Sequence, residues 1–222
     1  CFGECSFCAV AAHQGRRIRS RSVASILREV AKFAKHPAFR GIVPDVGGPT
    51  ANMYGWDCER TAAGKPPCAD RRCAWPAACG KLRSGHGEHL RLLREIRSLP
   101  GIRKVFIASG IRHDLVMADR KDGPAFLEEL VQHHVSGQLK LAPEHSEPQV
   151  LALMRKPGNV ALLEFKREFD RISRIAGKHQ FLTYYFLAAH PGCDQNDMAR
   201  LADFVCQKLR LHPQQVQIFT PT

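Results

Sequence analysis

Five short apolar runs, each closing on a Gly-rich or polar loop, limit what this chain can fold into. They are Gly41 to Val46, Val105 to Ala108, Leu139 to Ala142, Phe181 to Ala188 and Val216 to Phe219. Stretches of helical period lie between them. Ser22 is placed to cap a helix whose apolar face is Val23, Ile26, Leu27, Val30 and Phe33. His89 to Leu99 repeats Leu90, Leu93 and Ile96 on one side and is stopped by Pro100-Gly101. Pro124 to Val135 reads as an unbroken helix. Ser146 is expected to cap a short helix carrying Val150, Leu151 and Met154. A longer helix follows, with Leu162, Phe165, Phe169, Ile172 and Ile175 on its face, and Asp194 caps a last one with Met198, Leu201 and Val205 inward. Strands alternating with helices argue a parallel α/β sheet. Such sheets bind ligands at the carboxyl ends of their strands, so the loops at Gly47, Ser109, Glu144 and His190 should share one face.

The 222 residues suit one domain with a sizeable core. The chain opens on Cys1 rather than Met and stops at Thr222, which reads as a fragment of a longer protein. No apolar run approaches the length of a membrane span. The formal net charge of +12 favours acidic partners such as nucleic acid, although the basic residues are scattered and little interleaved with aromatics. Nine cysteines are more informative. Seven of them fall in two clusters separated by a long Cys-free stretch, which suits metal ligation in a reducing cytoplasm better than a disulfide scaffold.

The first cluster is Cys1-Phe-Gly-Glu-Cys5-Ser-Phe-Cys8, the spacing C-x-x-x-C-x-x-C. Three thiolates can hold three irons of a cubane and leave the fourth iron open to a ligand. A structural zinc site is closed by four ligands, so a zinc reading needs one more, such as His13. Spacing alone leaves both metals open. Phe2 and Phe7 flank the thiols, and Gly3 permits a tight turn. The second cluster, Cys58, Cys68, Cys73 and Cys79, lies in a Gly-, Pro- and Cys-rich insertion at about 51–87 that shows no elements of its own. A loop this long usually has a function or a metal. These four thiols form a candidate second site for zinc or an auxiliary 4Fe-4S cluster, with Arg71, Arg72, Lys81 and Arg83 nearby to offset thiolate charge. Cys193 opens a loop on the expected catalytic face, and Cys206, on a helix, reads as packing.

The triad spacing is the signature of the radical S-adenosylmethionine (SAM) superfamily. The turn Gly47-Gly48-Pro49-Thr50 resembles that superfamily's glycine motif, with Pro49-Thr50 in place of the usual Glu, so backbone contact to SAM is favoured over side-chain contact. More narrowly, the chain resembles the YgiQ-type radical SAM proteins, which are related to the MiaB-like enzymes. The matching stretches are Asp45-Val-Gly-Gly-Pro-Thr-Ala-Asn-Met-Tyr-Gly55, Val105-Phe-Ile-Ala-Ser-Gly-Ile-Arg112, Leu141-Ala-Pro-Glu-His145, Leu153-Met-Arg-Lys-Pro157, His190-Pro-Gly-Cys193 and Val216-Gln-Ile-Phe-Thr-Pro-Thr222, in order along the chain.

The resemblance implies a partial TIM-like (βα)6 barrel over residues 1–222, with the first strand upstream of Cys1. It implies a 4Fe-4S cluster on Cys1, Cys5 and Cys8, and SAM held near Gly47, Gly48, Pro49, Thr50, Ser109, Arg112 and Glu144. Glu144 would meet the ribose or amino group of SAM, and Arg112 its carboxylate, bidentately. The implied reaction is one-electron cleavage of SAM to methionine and a 5′-deoxyadenosyl radical, which takes hydrogen from a substrate. Electrons would come from a donor such as flavodoxin or ferredoxin, in the cytoplasm. Relation to the MiaB-like enzymes points to RNA modification by analogy only. The expectation from another class is a basic zinc protein that binds nucleic acid without catalysis.

Overall fold

The computed structural model describes residues 1–48, 50–213 and 216–221. The elements run α1 (Val10–Gln14), α2 (Val23–Phe33), β1 (Ile42–Val43), β2 (Asp57–Cys58), α3 (Glu59–Ala62), β3 (Leu82–Arg83), α4 (His86–Arg97) and β4 (Lys104–Val105). They continue α5 (His113–Ala118), α6 (Gly123–Glu129), β5 (Gln138–Glu144), α7 (Pro148–Met154), α8 (Asn159–Ile175), β6 (Phe181–Ala188), α9 (Gln195–Phe204) and β7 (Gln217–Ile218).

Parallel pairing passes from strand to strand in chain order. β1 pairs with β4, and Val46 N donates to Phe106 O at 2.8 Å, so the contact extends beyond both strands. Ile111 bridges in parallel to Leu141 on β5, β5 pairs with β6, and β6 with β7. These segments coincide with the five apolar runs. A doubly wound sheet reverses its strand order at a switch point. Among the described residues this array does not reverse.

Local chemistry explains where several elements begin and end. Ser22 Oγ accepts from Ser25 N at 3.3 Å and starts α2. Asp194 and Asp197 each accept from the other's backbone N–H, a capping box at the head of α9. Ser146 does not cap α7. Glu147 is the N-cap residue and Pro148 supplies the first turn, where a fixed φ and a missing N–H cost nothing. The helix expected to run unbroken to Val135 changes to a π turn over Leu130–His134. There His134 Nδ1 donates to Val105 O at 2.8 Å while its carbonyl accepts from Ile107 N at 2.9 Å, so docking on β4 reshapes the helix end. Residues 51–87 are less irregular than expected, since β2 and β3 form an antiparallel pair and α3 follows β2 directly.

β5 buries Leu139, Leu141 and Pro143, a period of two, while α8 buries Leu162, Phe165, Phe169 and Ile172, a period near 3.6. All of these but Pro143 join Leu93, Ile96 and Ile107 in the main core. A second, smaller core of Phe2, Met53, Trp56, Cys58, Ala74 and Leu115 lies under the first cysteine loop.

Two core histidines carry a testable consequence. Burial holds His89 down at about 3, aided by His86 and His134, and holds His113 down at about 4 against the raising effect of Asp114. A depressed folded pKa gives stability that is complete above the unfolded value of 6.5 and is lost as pH falls toward the folded value. Thermal midpoints of the metal-free protein should therefore drop steadily between about pH 6.5 and 4. A flat profile across that window would mean both imidazoles already reach water.

Candidate functional site: the cysteine loop over the strand ends

The Cys1–Cys8 loop is built around a glycine. A Cβ on Gly3 would lie 2.8 Å from Arg112 Nη1, 3.4 Å from Cys1 Sγ and 3.6 Å from Cys5 Sγ, so only glycine leaves these groups room. Gly3 N donates toward Cys1 Sγ at 3.4 Å, and Arg112 Nη1 toward Cys5 Sγ at 3.9 Å. Cys8 N donates to Cys5 O at 3.1 Å, which turns the chain back, and Cys8 is exposed. His13, the fourth ligand that zinc would need, is an exposed residue of α1. Among the described residues no three His, Cys, Asp or Glu side chains are gathered where a single ion could sit. A cubane spaces its thiolates more widely, because each binds a different iron. Three thiols are the donor set such a group takes, and the sulfurs of Cys1 and Cys5 already meet N–H donors.

Three of the four strand-end loops predicted to reach the site do so: the turn after β1 through a shared cavity, Arg112 through Cys5, and His190 through Ser6, whereas Glu144 is instead paired with Lys156. Ser6 N donates to Met154 O at 3.1 Å, and Ser6 Oγ lies 3.4 Å from His190 Nε2 beyond β6. The His190 ring packs between Phe7 and Phe219, the latter just after β7. Cys1 shares a cavity of about 750 Å³ with Gly47, Gly48 and Thr50 from the turn after β1. Apolar Val43, Val46 and Ile96 line its floor, while Arg17, Arg19 and Arg21 line its rim. Pro49 lies outside the described residues. Gly47 is packed against Ser109 and Asp45, leaving no space for a side chain, whereas the position of Gly48 is open.

The remaining predicted ligand contacts already have protein partners. Ser109 Oγ donates to Asp45, whose Oδ1 also accepts from Ala108 N at 2.9 Å, which ties the β1 turn to the end of β4. Arg112 Nε donates to Asp114 Oδ1 at 2.7 Å. Glu144 stands at a β-bulge with φ of 72°, its Oε1 3.7 Å from Lys156 Nζ. Burial pushes the Glu144 carboxyl up, opposed by Lys156 and Arg112. Glu4 and Ala189 also have positive φ, so left-handed backbone recurs on this face. Ser109, Arg112 and Glu144 are not among the residues lining the Cys1 cavity.

Sequence reading missed the network that holds Arg112. Asn52, fully buried, accepts from Arg112 N at 2.8 Å and donates to Arg112 O at 3.0 Å, clamping that residue on both backbone groups. Its amide also reaches His86 Nε2 at 3.2 Å, and His86 Nδ1 donates to Asp119 at 2.9 Å. Burial pulls His86 down, with Asp119 opposing. Burial works against the Arg112 charge, yet Asp114 and Cys5 outweigh it and hold the guanidinium above its ordinary value. Burial likewise opposes the Asp114 charge, but Arg112 brings that carboxyl down to about 2.

Over its full length the chain is similar to UPF0313 proteins. It is 51% identical over 222 residues to one from Fusobacterium nucleatum subsp. nucleatum, 47% over 223 residues to one from Thermotoga petrophila and 45% over 222 residues to one from Methanosarcina mazei. The alignments cover 100% of this chain but 39%, 38% and 34% of those relatives, so the chain spans between a third and two fifths of their length. No family model matches the chain.

The two separate cysteines differ from each other. His145 Nδ1 accepts from Glu147 N at 3.1 Å, which leaves Nε2–H facing Cys193 Sγ at 3.5 Å. Burial raises the Cys193 thiol, with Asp197 and Asp194 adding to it. Cys206 is exposed rather than packed, its Sγ 3.6 Å from His212 Nδ1, because it sits on the outer side of the π turn that extends α9. No helix of the described residues is long and apolar enough to cross a membrane.

Proposed function

We propose that this chain is the catalytic core of a radical SAM enzyme, with Cys1, Cys5 and Cys8 as the ligands of a 4Fe-4S cluster. The observation that carries the reading is the approach of three strand-end segments, at Gly47, Arg112 and His190, to one cysteine loop, beside a cavity that runs from Cys1 to the glycine turn. Chain-order parallel pairing supports a partial TIM-like (βα)6 barrel, the fold in which such loops share one face.

When bound, the cluster and SAM supply one-electron cleavage of the sulfonium and so start radical chemistry. The protein's own residues bind, orient and shield. Gly3 N–H and Arg112 direct hydrogen bonds at two of the sulfurs, which sets how readily a cluster there accepts an electron. Gly48 leaves backbone open to a ligand's ammonium group, while Asp45 and Ser109 hold the turn rigid. The basic rim at Arg17, Arg19 and Arg21 suits a carboxylate, and the apolar floor excludes water. Glu144, already paired with Lys156, acts as a positioning group beside Arg112 rather than across the Cys1 cavity.

A basic chain acting in a reducing cytoplasm with a flavodoxin or ferredoxin as electron donor completes the reading, and its charge of +12 suits a nucleic-acid substrate, with RNA suggested by analogy to the MiaB-like enzymes. Full-length protein, reconstituted anaerobically with iron and sulfide and reduced with dithionite, should convert SAM to methionine and 5′-deoxyadenosine. Iron-loaded, reduced protein that yields neither product would overturn the reading.

A further inference from the structure

We infer that Cys58, Cys68, Cys73 and Cys79 hold a second, four-thiolate 4Fe-4S cluster, separate from the triad's. All four line one cavity of about 680 Å³. Backbone bonds gather them: Cys58 faces Leu82 across the β2–β3 pair, Leu82 N donates to Cys79 O at 2.9 Å, and Cys79 N donates to Cys73 O at 2.8 Å. The fourth is drawn in by Arg16, whose guanidinium donates to the carbonyls of Cys68 and Arg71. All four are free thiols. Four cysteines bordering one cavity supply the four-thiolate donor set that a cubane takes. The spacing agrees, because it lacks the paired C-x-x-C of zinc ribbons.

Charge and packing point the same way. Arg60, Lys65, Arg71, Arg72 and Lys81 line the same cavity against Glu59 and Asp70, and this net positive lining would offset part of the negative charge of four thiolates around a cluster. The cavity is joined to the first cysteine loop. Glu4, inside that loop, pairs with Arg16 at 2.7 Å and Arg72 at 3.7 Å, and Cys1 and Cys73 both pack against the core of Phe2, Met53 and Trp56. The inserted segment thus has a metal as its organiser, beside the proposed catalytic loop but independent of its ligands.

The test is metal content and spectroscopy on full-length protein loaded anaerobically with ferrous iron and sulfide. Wild type should hold about eight irons and the C1A/C5A/C8A variant about four, with a cubane signature by Mössbauer spectroscopy. The C68A/C79A variant, changed at two half-buried positions, should lose about four irons relative to wild type. A C1A/C5A/C8A variant that holds no iron–sulfur, or one zinc instead, would overturn the inference. So would a C68A/C79A variant with the iron content of wild type. These outcomes separate the two proposals. Wild type with about four irons, all lost with the triad, removes the second cluster and leaves the proposed function standing, and wild type with about four irons, all kept on loss of the triad, does the reverse.

Discussion

Alanine at Cys1, Cys5 or Cys8 in the full-length protein should bring reductive cleavage of SAM down to the uncatalysed background. Three ligands are the minimum that leaves one iron of a cubane open while the other three stay fixed. Removing one exposes a second iron and loosens the cluster. Of the three, Cys5→Ala should lose the most bound iron, because its sulfur also faces the Arg112 guanidinium. The measurement is 5′-deoxyadenosine formed under excess dithionite, with iron bound per chain recorded on the same samples. Cys206→Ala is the control, since that thiol is exposed on the π turn that extends α9, beside His212. Cleavage retained by the triad variants at wild-type level would show that the electron enters elsewhere.

How much of this site was legible in the sequence depends on how local each feature is. The five strands were legible, because each is an apolar run that stops abruptly at a turn residue, and neighbours in sequence supply both signals. The α2 and α9 starts were legible for the same reason, since a cap and its target lie three residues apart. Ser146 misled, because a Ser followed by Pro148 offers two competing helix starts, and Pro148 sets the boundary through its fixed φ. α5 went unseen. It is six residues long with no side-chain cap, and it is held by packing under α8 rather than by its own propensity. Asn52 was the largest omission at the site. Its partners Arg112 and His86 are 60 and 34 residues away, so nothing near it in the chain reveals a clamp. Asp114 was nearer to being legible, because Arg-x-Asp places a cation and a carboxylate two residues apart. What the sequence does not contain is that both would be buried together beneath a cysteine sulfur.

Arg112→Ala should cost about 3–5 kcal/mol of folding stability, the range for removing one member of a buried ion pair. The side chains of Arg112 and Asp114 are only 9% and 11% exposed, so the carboxylate left behind has little water to turn to. Arg112→Lys should recover part of the loss, since it restores a charge but not the two-pronged contact. Denaturant unfolding of the metal-free protein measures this directly, without reference to cluster loading. The pH dependence gives a separate check on the cause. Asp114 has a folded pKa of about 2 against an ordinary 3.8, so its contribution is complete above 3.8 and is lost as pH falls toward 2. Without Arg112, burial is opposed only by the smaller effects of His113 and Lys156, so the Asp114 carboxyl rises. Protonation then relieves the variant while it weakens the wild type. The gap between the two should therefore be widest near neutral pH and should narrow as pH drops below about 4. A deficit that stayed constant from pH 7 to 3 would assign the loss to packing of the Arg112 stem, not to the unpaired carboxylate.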